Sequence, residues 1–231
     1  MDGRLTVKRA AAPLREQVLQ TLRTEIIEGN LAPGRRLTER EMTEMLGVSR
    51  TVLREGLRQL ESEGLISLIP NKGPVVRALT VAEAHELYRI REALEGLGAR
   101  LFAEASAPAQ LVALDAALAE VERAYAGGNP KTILTAKNAF YEAIHAGAGS
   151  ATLSKMLATV LAQVWRWRAL GLAHPRRSLD RSAQSVANLR EVVAAIRAGD
   201  GERAEQAARL EARLAATEVL RLIEGEEAEV E

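Results

Sequence analysis

The stretch that decides the fold of the first part of the chain is Leu46-Gly-Val-Ser-Arg-Thr-Val-Leu-Arg-Glu-Gly-Leu-Arg-Gln-Leu60. Gly47 and Val48 form a tight turn, and Ser49 is a favourable N-cap for the helix that follows. The apolar residues of this helix recur three and four positions apart, so they share the face that packs inward: Leu53, Leu57 and Leu60. The pattern predicts a helix anchored by leucines on one side and exposed on the other.

The exposed side of this helix is basic, because Arg50, Arg54 and Arg58 follow one another at intervals of four residues. Such a stripe alone is more often a solvated face, but this one follows a capped helix and a tight turn and precedes a hairpin. The planar fork of arginine binds a guanine edge or a phosphate with two bonds. The hydroxyls of Ser49 and Thr51 are natural phosphate donors at the start of the helix. The stripe therefore predicts contact with double-stranded DNA.

Two further helices and a hairpin are predicted around this helix. Apolar residues from Leu14 to Ile27 share a helical face, and Gly29-Asn30 ends that helix. Thr38 and Glu41 have capping-box spacing at the start of a second helix, whose expected inner face is Met42, Met45 and Leu46. Residues 65–69 and 74–77 read as two short strands around Asn71-Lys72-Gly73, with Lys72 at the tip against the DNA backbone or in the minor groove. Residues 8–78 are therefore predicted to form a winged helix-turn-helix domain with a small β-hairpin wing.

The same stretch resembles the GntR-type winged helix. The resemblance is carried by Ile27-Glu-Gly, Pro33-Gly-Arg-Arg-Leu, Glu39-Arg-Glu, the run from Leu46 to Glu61 and Asn71-Lys-Gly. It implies that five residues contact DNA: Arg40, Arg50, Thr51, Arg54 and Gly73. The sequence departs from the family at Val52, where a small residue or proline is usual, and at Gly56, where alanine is usual. Gly56 is expected to weaken its helix by up to about 1 kcal/mol.

From Thr80 onward the chain is rich in Ala, Leu, Glu and Arg and has helical periodicity almost throughout. Residues 80–223 are predicted to form an all-helical ligand-binding and dimerisation domain of about six helices, near 81–105, 108–126, 130–146, 151–170, 178–198 and 201–223. Residues 224–231 are acidic with little apolar content and are expected to form a disordered tail. The fold class predicted for the whole chain is mainly α.

The run Glu86-Leu-Tyr-Arg-Ile-Arg-Glu-Ala-Leu-Glu-Gly96, followed by an all-helical remainder, resembles the FadR-type effector (FCD) domain. Six helices rather than seven are similar to its VanR branch. The resemblance implies a homodimer, a small-molecule pocket inside the bundle and, in many members, a divalent metal held by one aspartate and three histidines. At those four positions this chain has Lys137, Tyr141, Leu189 and Glu211. Because His85, His145 and His174 also lack ligand spacing, we expect no metal and no other cofactor.

Three basic side chains share apolar helical stripes in this domain: Arg91, Lys137 and Arg168. Such side chains often reach out to water, and those that point inward need an internal carboxylate such as Glu211 or an anionic ligand. The hypothesis is that the effector is a small organic acid. Lys137, Arg168 and Arg91 would hold its acid group and Tyr141 would donate a hydrogen bond. Trp165 and Leu189 would form the apolar wall.

Composition bounds the function class. The chain of 231 residues has no cysteine and no net charge, with a slight basic excess before residue 80 and a matching acidic excess after it. From the few basic residues at the start, with no apolar core after them, we expect no secretory signal. No apolar run approaches the length of a membrane-spanning helix, so a cytoplasmic protein without membrane contact is expected. The expected function is a ligand-responsive transcription regulator, a repressor in the commoner case, that binds a pseudo-palindromic operator.

Two other functions stay open at this stage. One is an architectural DNA-binding dimer whose helical part binds no ligand. The other is an enzyme in which Lys137 forms a Schiff base, although the sequence has no phosphate loop, nucleophile elbow or metal-protease motif. We expect the chain not to be an enzyme.

Overall fold

The computed structural model describes residues 11–105, 108–178 and 180–227, and the chain divides into two units, Met1–Ala78 and Leu79–Glu231. The predicted start of the first domain, residues 8–10, lies outside the described residues. Each unit has its own core, and each is built from the elements that the sequence pattern predicts, with changes at their ends.

The first unit contains three helices and one hairpin within its described residues. In chain order these are α1 (Ala11–Ile27), α2 (Glu39–Leu46), α3 (Arg50–Ser62), β1 (Ile66–Ile69) and β2 (Gly73–Val76). Both predicted caps are formed: the Thr38 side chain accepts a hydrogen bond from the Glu41 amide, and the Ser49 side chain accepts one from the Val52 amide. Gly47 ends α2 with φ of 64°, a left-handed conformation that favours glycine. The winged helix-turn-helix fold is confirmed.

The core of this unit is formed by the leucine face of α3 against α1. Leu53, Leu57 and Leu60 are buried, and Gly56 lies where α1 passes closest. A Cβ atom at position 56 would lie 3.2 Å from Val18 Cγ1, so the helix-weakening glycine makes room for the packing of α1. The predicted inner face of α2 is wrong at Met45, which is 65% exposed while Met42 is buried, because the neighbouring elements cover α2 at Met42 and not at Met45.

The hairpin is one residue out of step with the prediction, pairing Ile66 with Val76 and Ile69 with Gly73 in antiparallel register. Asn71 and Gly73 both have positive φ, 64° and 78°, which allows the tight turn between the strands. A bridge from Arg36 to Val75 ties the loop before α2 to the hairpin.

The second unit has six helices in its described residues. They are α4 (Val81–Ala105), α5 (Pro108–Gly127), α6 (Pro130–Gly147), α7 (Ala151–Ala173), α8 (Arg181–Arg197) and α9 (Gly201–Glu227). The tail predicted from residue 224 begins too early, since α9 continues to Glu227. The Glu224 carboxylate lies 2.8 Å from His85 Nε2 of α4, which fastens this last part of α9. Residues 228–231 of the predicted tail lie outside the described residues.

The long helices α4 and α9 pack along each other, and the remaining helices complete the bundle around them. One apolar cluster contains Phe102, Phe140 and Leu189, and a second contains Tyr88, Val164 and Trp167. Six charged side chains are also buried in this unit: Arg91, Glu95, Lys137, Arg168, Arg181 and Glu211. Within the part of the chain that the structure describes, no helix combines the length and apolarity that a membrane crossing needs.

Candidate functional site

The exposed face of α3 presents Arg50, Thr51, Arg54 and Arg58. The leucines on the opposite face fix the helix, so the arginines project from a rigid support. Arg40 of α2 and Lys72 at the hairpin tip are exposed in the same unit, and Gly73 follows Lys72 with a half-buried backbone. The predicted DNA-contacting residues therefore all belong to one unit and are accessible, apart from partial shielding of Gly73.

Arg54 differs from the other arginines of this face because a carboxylate holds it. Arg54 Nε lies 2.7 Å from Glu39 Oε1, and Arg54 Nη2 lies 3.0 Å from Glu39 Oε2. This two-bond contact lowers the pKa of Glu39 and raises that of Arg54. In the described ranges, the side chains of Arg40, Arg50 and Arg58 form no ion pair, so they carry unneutralised charge.

The second unit contains a buried polar cluster centred on Glu211, whose side chain is fully buried. Its Oε1 atom accepts hydrogen bonds from Lys137 Nζ at 2.7 Å and from Ser185 Oγ at 2.6 Å. Its Oε2 atom accepts hydrogen bonds from Arg181 Nη2 at 3.0 Å and from Asn188 Nδ2 at 3.1 Å. Although burial opposes the charged form, Lys137 and Arg181 lower the pKa of Glu211 to about 2.

This cluster does not fit the divalent metal that the family resemblance implies. An ammonium group, Lys137 Nζ, lies in hydrogen-bond contact with Glu211, the one anionic side chain among the four corresponding positions. Tyr141 and Leu189 at the other two positions supply no histidine nitrogen. The described residues contain no group of three or more His, Asp or Glu side chains that could hold a metal ion.

Arg91 is neutralised locally by Glu95, one turn further along α4, with Nε 2.8 Å from Oε1. Its guanidinium also lies over the rings of Tyr88 and Tyr141, 5.9 Å and 5.6 Å from their centroids. Although burial disfavours the charged form, Glu95 raises the pKa of Arg91. This arginine therefore belongs to a closed ion pair.

Arg168 is a buried cation that forms no ion pair with any carboxylate of residues 11–105, 108–178 and 180–227. Its side chain is 6% exposed, and its Nη1 atom donates to Asn138 Oδ1 at 2.8 Å. Burial, together with the nearby charge of Arg91, lowers the pKa of Arg168 to about 10. An arginine held in this way favours an anion beside it.

Arg168 lines a cavity of about 40 Å³ inside the bundle. The other basic residues of its wall are Arg91, Lys137, Arg177 and Arg181, and the apolar part includes Leu134, Leu172 and Val219. One carboxylate, Glu218, also lines it and is bonded to Arg221. The Nη1 atom of Arg181, which lines the cavity, is buried and has no hydrogen-bond partner within the described ranges. The hydroxyl of Tyr141 is also buried without a partner there, but Tyr141 is not one of the lining residues. A buried donor without a partner is costly, so Arg181 can still donate a hydrogen bond to an anion in the cavity.

The predicted effector residues are only partly brought together. Arg91, Lys137 and Arg168 line the cavity, but the first two are paired with Glu95 and Glu211. The two residues expected to form the apolar wall, Trp165 and Leu189, do not line this cavity. Trp165 is half-buried. The residues of α7 that line the cavity are Arg168 and, one turn further along the helix, Gly171 and Leu172. Leu189 packs in the apolar cluster about two turns along α8 from Arg181.

The sequence pattern does not predict five polar partners of these buried charges: Glu95, Asn138, Arg181, Ser185 and Asn188. The spacing of four residues from Arg91 to Glu95 on α4 could have indicated their ion pair. The other four join helices far apart in the chain, for example Lys137 with Ser185 at 3.1 Å. Their contacts depend on how α6, α7, α8 and α9 pack.

A basic recognition helix on a winged domain and a cationic cavity inside a helical bundle together define the class of two-domain DNA-binding regulators with an effector domain. Residues 14–76 match the gntR family of bacterial regulatory proteins, and residues 86–212 match the FCD domain. The chain belongs to the GntR family and carries an FCD domain.

Curated relatives of this chain are named as transcriptional regulators or repressors. The chain is 32% identical over 127 residues to the uncharacterized HTH-type transcriptional regulator YdhC of Bacillus subtilis, covering 54% of this chain and 57% of that protein. It is 29% identical over 212 residues to the probable D-xylose utilization operon transcriptional repressor of Paenarthrobacter nicotinovorans, covering 88% and 86%. A 36% identical regulator from Agrobacterium vitis is matched over 64% of its length. The chain thus spans under two thirds of two of these three relatives.

Solved structures show the same fold. Escherichia coli McbR/YncC matches with a TM-score of 0.73 at 24% identity, covering 90% of this chain and 95% of that one. A putative GntR transcriptional regulator from Rhodococcus sp. RHA1 matches with a TM-score of 0.67 at 26% identity, covering 89% and 97%. The arrangement of helices and hairpin is therefore that of GntR regulators.

Proposed function

We propose that this chain is a ligand-responsive transcription regulator that binds a pseudo-palindromic operator as a homodimer and is modulated by a small carboxylate effector. The name of the Paenarthrobacter relative, a probable transcriptional repressor, supports repression rather than activation as the direction of regulation. The proposed DNA contacts are those of the exposed α3 face, the hairpin tip and Arg40. The proposed effector site is the buried cavity beside Arg168.

Homodimerisation is supported by apolar surface on α4. Ile90 and Leu97 are 48% and 41% exposed although they lie seven residues apart on a helix whose other faces are buried. A second copy of the chain would cover this stripe. A symmetric pair then presents two α3 helices to two half-sites, and the half-site spacing must match the two-fold geometry.

The observation that carries the effector proposal is the excess of buried positive charge. Among the described residues of the bundle, four buried cations, Arg91, Lys137, Arg168 and Arg181, accompany two buried carboxylates, Glu95 and Glu211. The half-buried Glu218 of the cavity wall is bonded to Arg221. Arg168 is the member that no carboxylate neutralises in the described part of the chain. Burying an unpaired charge is costly, and a carboxylate ligand would remove that cost by bonding to it.

The size of the cavity determines how the ligand could act. A volume of about 40 Å³ holds a few water molecules at most, whereas ligand pockets measure about 300–1,000 Å³. An organic acid would therefore bind to a bundle in which the cavity wall has moved. A ligand that prefers such a state shifts the population toward it, which is the requirement for changing DNA affinity.

The test is calorimetry with a panel of straight-chain mono- and dicarboxylic acids on the full chain and on two variants. Arg168→Met removes the unneutralised cation, and Arg166→Met removes an exposed arginine of the same helix. We expect at least one acid to bind the wild type and Arg166→Met alike and to lose tenfold or more in affinity on Arg168→Met. Equal binding to all three proteins would refute the role of Arg168.

The small cavity favours one second candidate, an architectural DNA-binding dimer without a ligand. In that case no acid of the panel binds, and the excess charge is neutralised by ions from solution. The Schiff-base alternative has no such support, because Lys137 Nζ is hydrogen-bonded to both Glu211 and Ser185.

A further inference from the structure

Glu39 is the first residue of α2, and it reaches across to α3 to hold Arg54. The contact joins the two helices of the helix-turn-helix through residues 15 positions apart. Both side chains belong to the surface that carries Arg40 and Arg50, so the ion pair lies within the proposed DNA interface rather than beside it.

The geometry of this pair leaves part of Arg54 free. A guanidinium has a side edge, formed by Nε and one terminal nitrogen, and an end edge, formed by its two terminal nitrogens. Glu39 occupies the side edge, since its oxygens contact Nε and Nη2 at 2.7 and 3.0 Å. The end edge remains available for the paired acceptors N7 and O6 of a guanine.

A carboxylate in this place has two consequences for DNA binding. It fixes the arginine in one orientation before DNA arrives, so less side-chain freedom is lost when the base contact forms. It also repels the phosphate backbone, which weakens the sequence-independent part of the affinity. Both effects increase the ratio of specific to non-specific binding. An arginine without a carboxylate partner, such as Arg50, is neither fixed in orientation nor accompanied by a charge that repels the phosphates.

We propose that Glu39 is a specificity-determining residue that positions Arg54, end edge outward, for recognition of a guanine in the major groove. This inference rests on the proposed DNA-binding function and adds a role for a residue that makes no contact with the base itself. Arg54 reads the base, and Glu39 sets how strictly Arg54 reads it.

The chain offers a matched control for this role. Glu44 is an exposed carboxylate on the same helix α2, and in the described residues it forms no bond to an arginine. Glu39→Ala and Glu44→Ala remove the same charge from the same helix, but only the first frees Arg54. Glu39→Gln keeps one acceptor oxygen and should give an intermediate result.

The experiment is selection from a randomised DNA duplex library with the full-length wild type, Arg54→Gln and the three glutamate variants, followed by affinity measurements on the selected duplex. Arg54→Gln identifies the base pair at which preference depends on Arg54. At that base pair we expect Glu39→Ala to lower the preference for guanine by about tenfold, whereas Glu44→Ala keeps the wild-type preference. Both alanine variants should bind random duplex more tightly than the wild type, to a similar extent.

Three outcomes would overturn the inference. One is a base-preference profile of Glu39→Ala that equals that of Glu44→Ala. Another is a loss of preference spread over all positions, and the third is an Arg54→Gln variant that loses preference at no base pair. In each of these cases the wild type still selects a sequence, so the DNA-binding function stands. If the wild type enriches no sequence at all, the proposed function fails and the role of Glu39 fails with it.

Discussion

Arginine appears in opposite settings in the two units. On α3, Arg50, Arg54 and Arg58 are exposed, and the ion pair of Arg54 is open to water. In the helical bundle, Arg168 and Arg181 are buried next to a cavity. An exposed ion pair contributes at most about 1 kcal/mol, whereas removing one partner of a buried pair costs about 3–5 kcal/mol. The comparison teaches that removing charge from α3 should change stability little, whereas removing charge from the bundle should change it strongly.

The largest loss of stability that tests this difference between buried and exposed charge is expected at Glu211. Glu211→Gln leaves Lys137 and Arg181 buried without an anionic partner. We expect the free energy of unfolding to fall by about 3–5 kcal/mol, measured by urea denaturation. The control is Glu191→Gln, which removes a carboxylate from an exposed pair with Arg203 and should cost less than about 1 kcal/mol. Similar losses in both variants would show that burial does not separate the two kinds of pair.

Acid should weaken the bundle through the same carboxylate. The folded pKa of Glu211 is about 2, below its ordinary value of 4.5, so the unfolded chain binds more protons between those two values. Its contribution is therefore fully present above about pH 5 and is lost as the pH falls toward 2, amounting to about 3 kcal/mol. Acid titration of unfolding should show this loss in the wild type as an excess over Glu211→Gln. Parallel curves for the two proteins would contradict it.

A smaller effect, of opposite sign, is expected at Arg168. Burial lowers the pKa of this arginine to about 10, which means that the folded protein holds its charge at a cost. Without ligand, Arg168→Met should raise the free energy of unfolding by about 1–2 kcal/mol, even though the bond to Asn138 is lost. The exposed Arg166→Met should change it by less than about 0.5 kcal/mol. Destabilisation by Arg168→Met would contradict the view that the folded protein holds this charge at a net cost.

Helix α3 could be predicted from sequence because the pattern that specifies it is local. Ser49 caps it, and the leucines and arginines alternate at helical spacing, so both faces follow from periodicity alone. Met45 was misplaced because periodicity does not reveal how far a short helix is covered by its neighbours. Gly56 was expected to be a weakness, and only its distance to Val18 gives it a packing role.

The buried cluster could be predicted only in part. Helical stripes indicate that Lys137 and Arg168 point inward, and Glu211 was recognised as an internal carboxylate that could pair with them. The stripes do not reveal which side chains bond to that carboxylate, because Arg181 and Ser185 contact Glu211 from another helix. For the same reason the stripe on α7 favours Trp165 as part of the cavity wall, whereas Leu172 lines the cavity. Contacts between distant helices depend on packing, which a single-helix pattern does not contain.

The decisive measurement compares sequence-selective DNA binding of the wild type with two double variants, by competition between the selected duplex and random duplex. Arg50→Gln/Arg54→Gln removes two exposed cations from α3, and Arg190→Gln/Arg197→Gln removes two exposed cations from α8. The first should lower the affinity for the selected duplex about 100-fold or more with unchanged thermal stability, and the second should leave selectivity at the wild-type level. Intact selectivity in the α3 variant would contradict the assignment of this helix to DNA recognition.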